Sequence, residues 1–225
     1  MDTRLADFIR DTRAGEEAEA ILRSCVHCGF CTATCPTYQL LGDELDGPRG
    51  RIYLIKQVLE GQPATEKTRL HLDRCLTCRS CETTCPSGVK YSRLLDIGRQ
   101  VVETQLKRKV GDAVPRRLLR EVLPRRGLFG PLVKVGRAMR PLLPSSLADK
   151  LPPATGSARP WPAKARHGRR MLTLAGCVQP ALAPNINAAT ARILDRLGIE
   201  LFEEAKAGCC GAVCFHLNDQ AAAKD

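Results

Sequence analysis

One cysteine pattern occurs twice and limits what the chain can become. Cys25, Cys28, Cys31 and Cys35 follow the spacing C-x2-C-x2-C-x3-C, and Cys75, Cys78, Cys81 and Cys85 repeat it fifty positions later. Pro36 and Pro86 close the two runs. Twelve cysteines among 225 residues are far above ordinary usage. The N-terminus, Met1-Asp2-Thr3-Arg4, has neither the apolar core nor the small-residue cleavage site of a secretory leader. The expectation is therefore reduced thiols, and clustered thiols in a reducing compartment read as metal ligands before disulfides. Zinc is the competing reading. Zinc sites, however, pair two C-x2-C units across a longer loop and have no use for a third cysteine plus a cysteine–proline in each run.

The spacing is that of [4Fe–4S] ligation. A cubane takes four thiolates converging from different directions, and three cysteines at i, i+3 and i+6 on a tight loop fill only three corners. In two-cluster ferredoxins the last cysteine of each run, turned away by its proline, serves the other cluster. The expected sets are Cys25, Cys28, Cys31 and Cys85 for one cluster, and Cys75, Cys78, Cys81 and Cys35 for the other. Gly29, Ser80, Thr32, Thr34, Thr83 and Thr84 keep the loops thin enough for backbone N–H groups to reach inorganic sulfide. With both four-thiolate sets complete, His27 is expected beside the cluster or at the surface, not as a ligand.

Helical spacing surrounds these loops. Gly47-Pro48 opens a helix to about Glu60 with an apolar stripe of Ile52, Ile55 and Leu59. Two more are expected over about Thr65 to Arg74 and over Tyr91 to Leu106, the latter carrying Leu94, Leu95, Ile97, Val101 and Val102 near one face. Arg49 and Arg51 are read either as offsetting cluster charge or as a solvated helix start. Residues 1–106 are thus an α-helical, two-cluster ferredoxin-like domain.

Residues 107–170 are read as a basic helical and Pro/Ala/Arg-rich linker. Lys107 to Arg140 holds eleven Lys or Arg against Asp112 and Glu121, nine of the net +11. Its prolines and glycines are expected to break it into short helices, Arg116 to Leu123 and Leu128 to Met139. Such a segment suits an anionic membrane surface, an acidic partner, or a solvated linker. Nucleic acid is not expected, because aromatic interleaving and a base-reading motif are absent. From Pro141 to Arg170 an exposed linker is expected. No apolar run reaches the ~18 residues of a spanning helix.

Residues 171–225 read as a small α/β unit. A strand over Met171 to Ala175 leads to Gly176-Cys177, a helix runs from Asn185 to Leu197, and a second strand covers Ile199 to Phe202. This βαβ arrangement would bring Cys177 and the Cys209–Cys210 pair to one edge of a parallel sheet, as a candidate metal site. Glycines on either side let the backbone approach closely.

The spacing Cys177-x31-Cys209-Cys210 with Gly211 resembles the cysteine-rich CCG domain of heterodisulfide reductases, anaerobic glycerol-3-phosphate dehydrogenases and glycolate oxidase iron–sulfur subunits. Cys25-Val26-His27-Cys28-Gly29-Phe30-Cys31, Gly47-Pro48-Arg49-Gly50-Arg51-Ile52-Tyr53, Leu72 to Val89, Gly208 to Ala212 and His216-Leu217-Asn218 most resemble the last of these. That family continues to a further C-x2-C, so residues 171–225 are expected to be the N-terminal half of a truncated CCG domain, with a further cluster or metal only in a full-length form. Cys214 lies outside the family pattern and is expected to be a non-ligand thiol.

The resemblance implies the iron–sulfur electron-transfer subunit of a glycolate dehydrogenase complex. It would hold two [4Fe–4S] clusters and no FAD, and pass electrons from an FAD-containing subunit oxidising glycolate to glyoxylate toward a quinone or membrane acceptor. Lactate, anaerobic glycerol-3-phosphate and heterodisulfide reductase-type complexes are the alternatives. The implied location is cytoplasmic, peripheral to the inner face of the cell membrane. The chain has no dinucleotide fingerprint of its own, so no catalytic side chain is assigned.

Overall fold

The computed structural model describes residues 1–151, 153, 160–163, 167–204 and 207–224. Part of the linker expected over 141–170 therefore lies outside the described residues. The chain divides into two compact units, Met1–Lys109 and Val110–Asp225.

The first unit contains helices α1 (Asp7–Arg10), α2 (Arg13–Ser24), α3 (Pro36–Leu41), α4 (Pro48–Leu59), α5 (Glu66–Asp73), α6 (Ser80–Thr84) and α7 (Tyr91–Gln105). Their starts are written in the sequence. The Thr12 hydroxyl accepts from Gly15 N–H at 3.0 Å to cap α2, and the Thr65 hydroxyl accepts from Thr68 N–H at 3.1 Å to cap α5. Pro36 and Pro48 occupy first helical positions, where the missing N–H costs nothing. The stripe Ile52, Ile55 and Leu59 is buried, as are Leu94, Leu95, Ile97 and Val102 of α7. These faces meet closely because position 98 is glycine: a Cβ there would lie 2.6 Å from Ile55 Cγ1.

A buried ionic hub ties the unit together. Asp46, fully buried, accepts from Arg74 at 2.8 Å and Arg51 at 3.4 Å, and pairs with His71 Nδ1 at 3.0 Å. Burial alone would raise the Asp46 carboxyl, but these hydrogen bonds hold it below the usual carboxylate value. Arg51 also donates to His71 O at 2.7 Å and to the Thr37 hydroxyl at 3.1 Å. Arg51 is thus not a solvated residue at a helix start, one of the two roles expected of it. It is 1% exposed, because Asp46 supplies the counter-charge that makes its burial tolerable.

The second unit contains α8 (Val110–Val122), α9 (Arg126–Ala138), α10 (Ser145–Ala148), β1 (Arg169–Thr173), α11 (Gln179–Leu182), α12 (Asn185–Arg196), β2 (Ile199–Glu203) and α13 (Ala212–His216). Strands β1 and β2 pair in parallel, from Arg169 opposite Ile199 to Thr173 opposite Glu203. Helix α12 is the crossover, burying Ala188 and Ala191. The βαβ unit stands, with its first strand two residues earlier than the expected Met171 start. The basic segment departs further from expectation. Pro115 lies inside α8 and does not break it, whereas Pro131 lies inside α9 as it does inside the helix expected over Leu128 to Met139. The carbonyl that each proline ring crowds, four residues back, belongs to Gly111 and Gly127, whose backbone tilts most readily.

Replacing Asp46 by alanine leaves Arg51 and His71 buried without their counter-charge. Removal of one partner of a buried pair costs about 3–5 kcal/mol, so the urea midpoint of the iron-loaded Asp46→Ala chain is expected to fall correspondingly. A loss below about 1 kcal/mol would mean that the hub does not hold the unit.

Candidate iron–sulfur site

The two cysteine runs fold into loops of the same backbone form. Cys25 closes α2, Cys35 caps α3, Cys81 lies in α6 and Cys85 ends it. His27 and Gly29 take left-handed φ of 59° and 87°, and Thr77 and Arg79, fifty positions on, take 53° and 61°. Left-handed turns within a tight loop swing successive N–H groups toward an anion. Three of these four residues carry a Cβ, so the conformation is held against a local preference.

Two cavities lie between the loops. Cys25, Cys28, Cys31 and Cys85 line the first, with His27, Arg49 and Ile52 among its other walls. Cys35, Cys75, Cys78 and Cys81 line the second, with Thr37, Arg51 and Leu95. The last cysteine of each run is thus brought to the other run's cavity. Cys81 also borders the first cavity, and Cys81, Pro48 and Tyr91 are common to both linings. Cys25, Cys35 and Cys81 are buried, whereas Cys28 and Cys78 are exposed.

Electrostatics follows burial. Burial first, and then the neighbouring thiols of Cys25, Cys28 and Cys85, pushes the Cys31 thiol up to about 11. Burial, followed by Cys75 and Cys31, pushes Cys81 up to about 12. Hydrogen bonds from Ser80 hold Cys78 below its ordinary value. Burial lowers His27, and the Arg49 charge adds to this.

Several residues that hold the sulfurs carry no motif in the sequence. The Tyr91 hydroxyl, wholly buried, donates to Cys75 Sγ at 3.7 Å, and Val89 N–H donates to Cys85 Sγ at 3.5 Å. The Thr37 hydroxyl meets Cys35 Sγ at 3.2 Å. Arg99 donates to Leu72 O at 2.7 Å and Cys75 O at 2.9 Å, fixing the start of the second run. Arg49 is paired with Glu44 at 2.6 Å and reaches over Gly29, where a Cβ would come within 2.7 Å of its guanidinium. Its neighbour Arg51 is instead committed to the hub.

The donor set fits an iron–sulfur cluster. Four thiolates are the ligands such a cluster takes; His27 lines the first cavity, and its buried Nδ1 has no hydrogen-bond partner among the described residues. Asp43, Asp46 and His71 also bring ligand atoms within 4.8 Å of one another. Arg51 and Arg74 already neutralise Asp46, so this group is an ion-pair node.

In the second unit, Cys177 follows β1 and its thiol is raised by burial and by the adjacent, hydrogen-bonded Cys209 thiol. Cys210 acts more weakly on it. Cys214 is raised by burial, by Asp219 and by Cys209, which places this unassigned thiol near Cys209. Gly211 is left-handed at φ 73°, and a Cβ there would strike Ala223 O.

Residues 21–89 match the family model of a 4Fe-4S dicluster domain, and residues 171–225 match that of a cysteine-rich domain. A 4Fe-4S dicluster domain and a cysteine-rich domain thus follow one another along this chain. Along 98% of its length it is 61% identical to the glycolate oxidase iron-sulfur subunit of Escherichia coli (strain K12), of which it covers 54%. Over 92% of its length it is 31% identical to the probable glycolate oxidase iron-sulfur subunit of Bacillus subtilis (strain 168), covering 52%. Over 89% it is 27% identical to one of the subunits of the dihydromethanophenazine:CoB--CoM heterodisulfide reductase of Methanosarcina acetivorans, covering 49%. The chain therefore spans about half the length of these curated relatives. No solved structure gives a significant match.

The thiol shifts set an order of reactivity. A group with a lowered value is thiolate at lower pH, and one raised to about 12 stays protonated until strong alkali. In the iron-free chain at pH 8, iodoacetamide is expected to label Cys78 at least ~100-fold faster than Cys81, read by peptide mass spectrometry. Equal rates would contradict the burial of Cys81.

Proposed function

We propose that this chain is the electron-transfer subunit of a glycolate dehydrogenase complex and holds two [4Fe–4S] clusters. Cys25, Cys28, Cys31 and Cys85 would bind one, and Cys75, Cys78, Cys81 and Cys35 the other. The observation that carries the reading is the gathering of eight thiols around two adjacent cavities with a common wall. Similarity to glycolate oxidase iron-sulfur subunits over nearly the whole chain supports the substrate. When bound, such clusters supply one-electron transfer without bond making. The protein's part is to fix the sulfurs through Tyr91, Val89 and Thr37, to balance charge with Arg49, and to keep water from the buried thiols.

The glycolate-oxidising step belongs on an FAD-containing partner, with a quinone or other membrane acceptor taking the electrons. Cys177, Cys209 and Cys210 form part of a further cluster or metal site that needs more ligands than these three. No described helix is long and apolar enough to cross a membrane, so the contact with the inner face of the cell membrane is peripheral. The basic segment suits that role. Leu128, Leu132, Val135 and Met139 recur at helical spacing along α9 and are exposed, as are Val110, Val114 and Leu118 on α8. Cationic amphipathic helices of this kind lie in anionic lipid interfaces.

The relay is tested by electron paramagnetic resonance on the anaerobically purified complex. Glycolate is expected to elicit signals of two interacting reduced [4Fe–4S] clusters, and Cys85→Ser should remove the cluster of the first run while the second remains. Response to dithionite alone moves the substrate to lactate or glycerol-3-phosphate, and an iron-free protein ends the reading. The membrane contact is tested by sedimentation with vesicles. Binding to phosphatidylglycerol vesicles but not phosphatidylcholine vesicles is expected, weakened about tenfold or more by Leu132→Glu or by raised salt. Indifference to lipid charge would exclude it.

A further inference from the structure

We infer that His27 donates a hydrogen bond from Nδ1 to sulfur in the cavity bordered by Cys25, Cys28, Cys31 and Cys85, and thereby raises the reduction potential of that centre. The inference rests on the assignment of a cluster to that cavity. The first ground is an unmet bond. His27 Nδ1 is buried and has no hydrogen-bond partner among the described residues, the residue lines the cavity, and the other groups there are mostly thiols and apolar carbons. A buried ring N–H persists where an acceptor completes it, and the acceptors such a cavity would hold are thiolate and sulfide sulfur.

The second ground is how the ring is placed. His27 takes a left-handed backbone at φ 59°, which a residue with a Cβ adopts against its preference. The ring stands edge-on to Tyr53, with centroids 6.5 Å apart and planes at 68°. Backbone form and ring contact together fix where the ring stands at the cavity's edge.

The third ground is the internal repeat. The matching residue, Thr77, has nearly the same φ, 53°, so the two loops are alike in backbone and differ in this side chain. The Thr77 hydroxyl is spent on its neighbour, Leu76 O, at 2.7 Å. The second cavity therefore receives no side-chain donor at the corresponding point. An N–H bond to sulfur withdraws negative charge and favours the form that carries the additional electron. Reduction adds one electron to the centre, and the His27 proton stays on Nδ1 throughout. The centre beside His27 thereby becomes a better electron acceptor than it would be without that bond.

The test is a potentiometric titration of the full anaerobic chain followed by electron paramagnetic resonance, with iron content measured alongside. His27→Thr places the residue of the second loop in the first. His27→Asn keeps an N–H donor near the Nδ1 position and tolerates a left-handed backbone. The expected result is that His27→Thr makes one centre harder to reduce by about tenfold in its reduction equilibrium, about 59 mV for one electron, while the other is unmoved. His27→Asn is expected to recover most of the shift. Unchanged potentials at full iron content overturn the inference, as does an equal shift of both centres. If both variants lose iron, His27 is a structural residue and the inference fails. A wild-type chain without iron signals would instead defeat the cluster assignment on which it rests.

Discussion

The carboxylate of Asp46 is the point on which the first unit depends. It lies fully buried among one histidine and two arginines, and each partner belongs to a different part of the chain. Arg51 comes from α4, His71 from α5 and Arg74 from the residue after α5, immediately before Cys75. Through Thr37, which donates to Asp46 O at 2.7 Å and meets Cys35 Sγ, the same node reaches the last cysteine of the first run. One charge cluster thus couples the entry to the second loop with the exit from the first. Ion pairs so deeply buried contribute less to net stability than to choosing one arrangement over others. The arrangement selected here is the one in which thiols from both loops face common cavities.

Around that node the apolar packing is ordinary in kind and tight in detail. Ile55 sits against Gly98, and Gly50 lies where a Cβ would come 2.2 Å from Glu44 O. The helix carrying Arg51 is therefore pressed against both α7 and the segment holding Asp46. A Cβ at Gly50 would have to move backbone, and one at Gly98 would have to displace the buried Ile55 side chain, so the cysteine loops are anchored to a stiff support. Stiffness suits a centre meant to change charge without changing shape.

Much of this was legible in the sequence, for physical reasons that differ by element. Helices α4 and α7 announced themselves because one face of each is apolar at helical spacing, and the starts of α4 and α5 carry proline and threonine. The βαβ unit was legible from Gly198 closing a helix before an apolar strand. The sequence misled where a rule about single residues met a favourable context: Pro115 read as a break, yet it fits inside a helix with glycine four residues earlier. It was silent about Asp46, Arg99 and Tyr91, the partners of whose side chains, Arg51 excepted, lie 16 to 28 residues away. Such pairings leave no local pattern, since any surface arginine or aspartate looks the same until the chain folds. The position of Cys214 near Cys209 was likewise invisible, because it depends on how α13 follows the Gly211 turn.

The unequal burial of the thiols bears on how the protein comes to be filled. Each cysteine must surrender a proton to bind metal, and Cys31 and Cys81 hold theirs to about 11 and about 12. Cys28 and Cys78 stand in water at the outer rim of their loops. Filling the loops with metal would draw those buried protons off, because a metal takes the thiolate. Delivering cofactor to this chain would therefore be an acid-releasing reaction that acid conditions oppose.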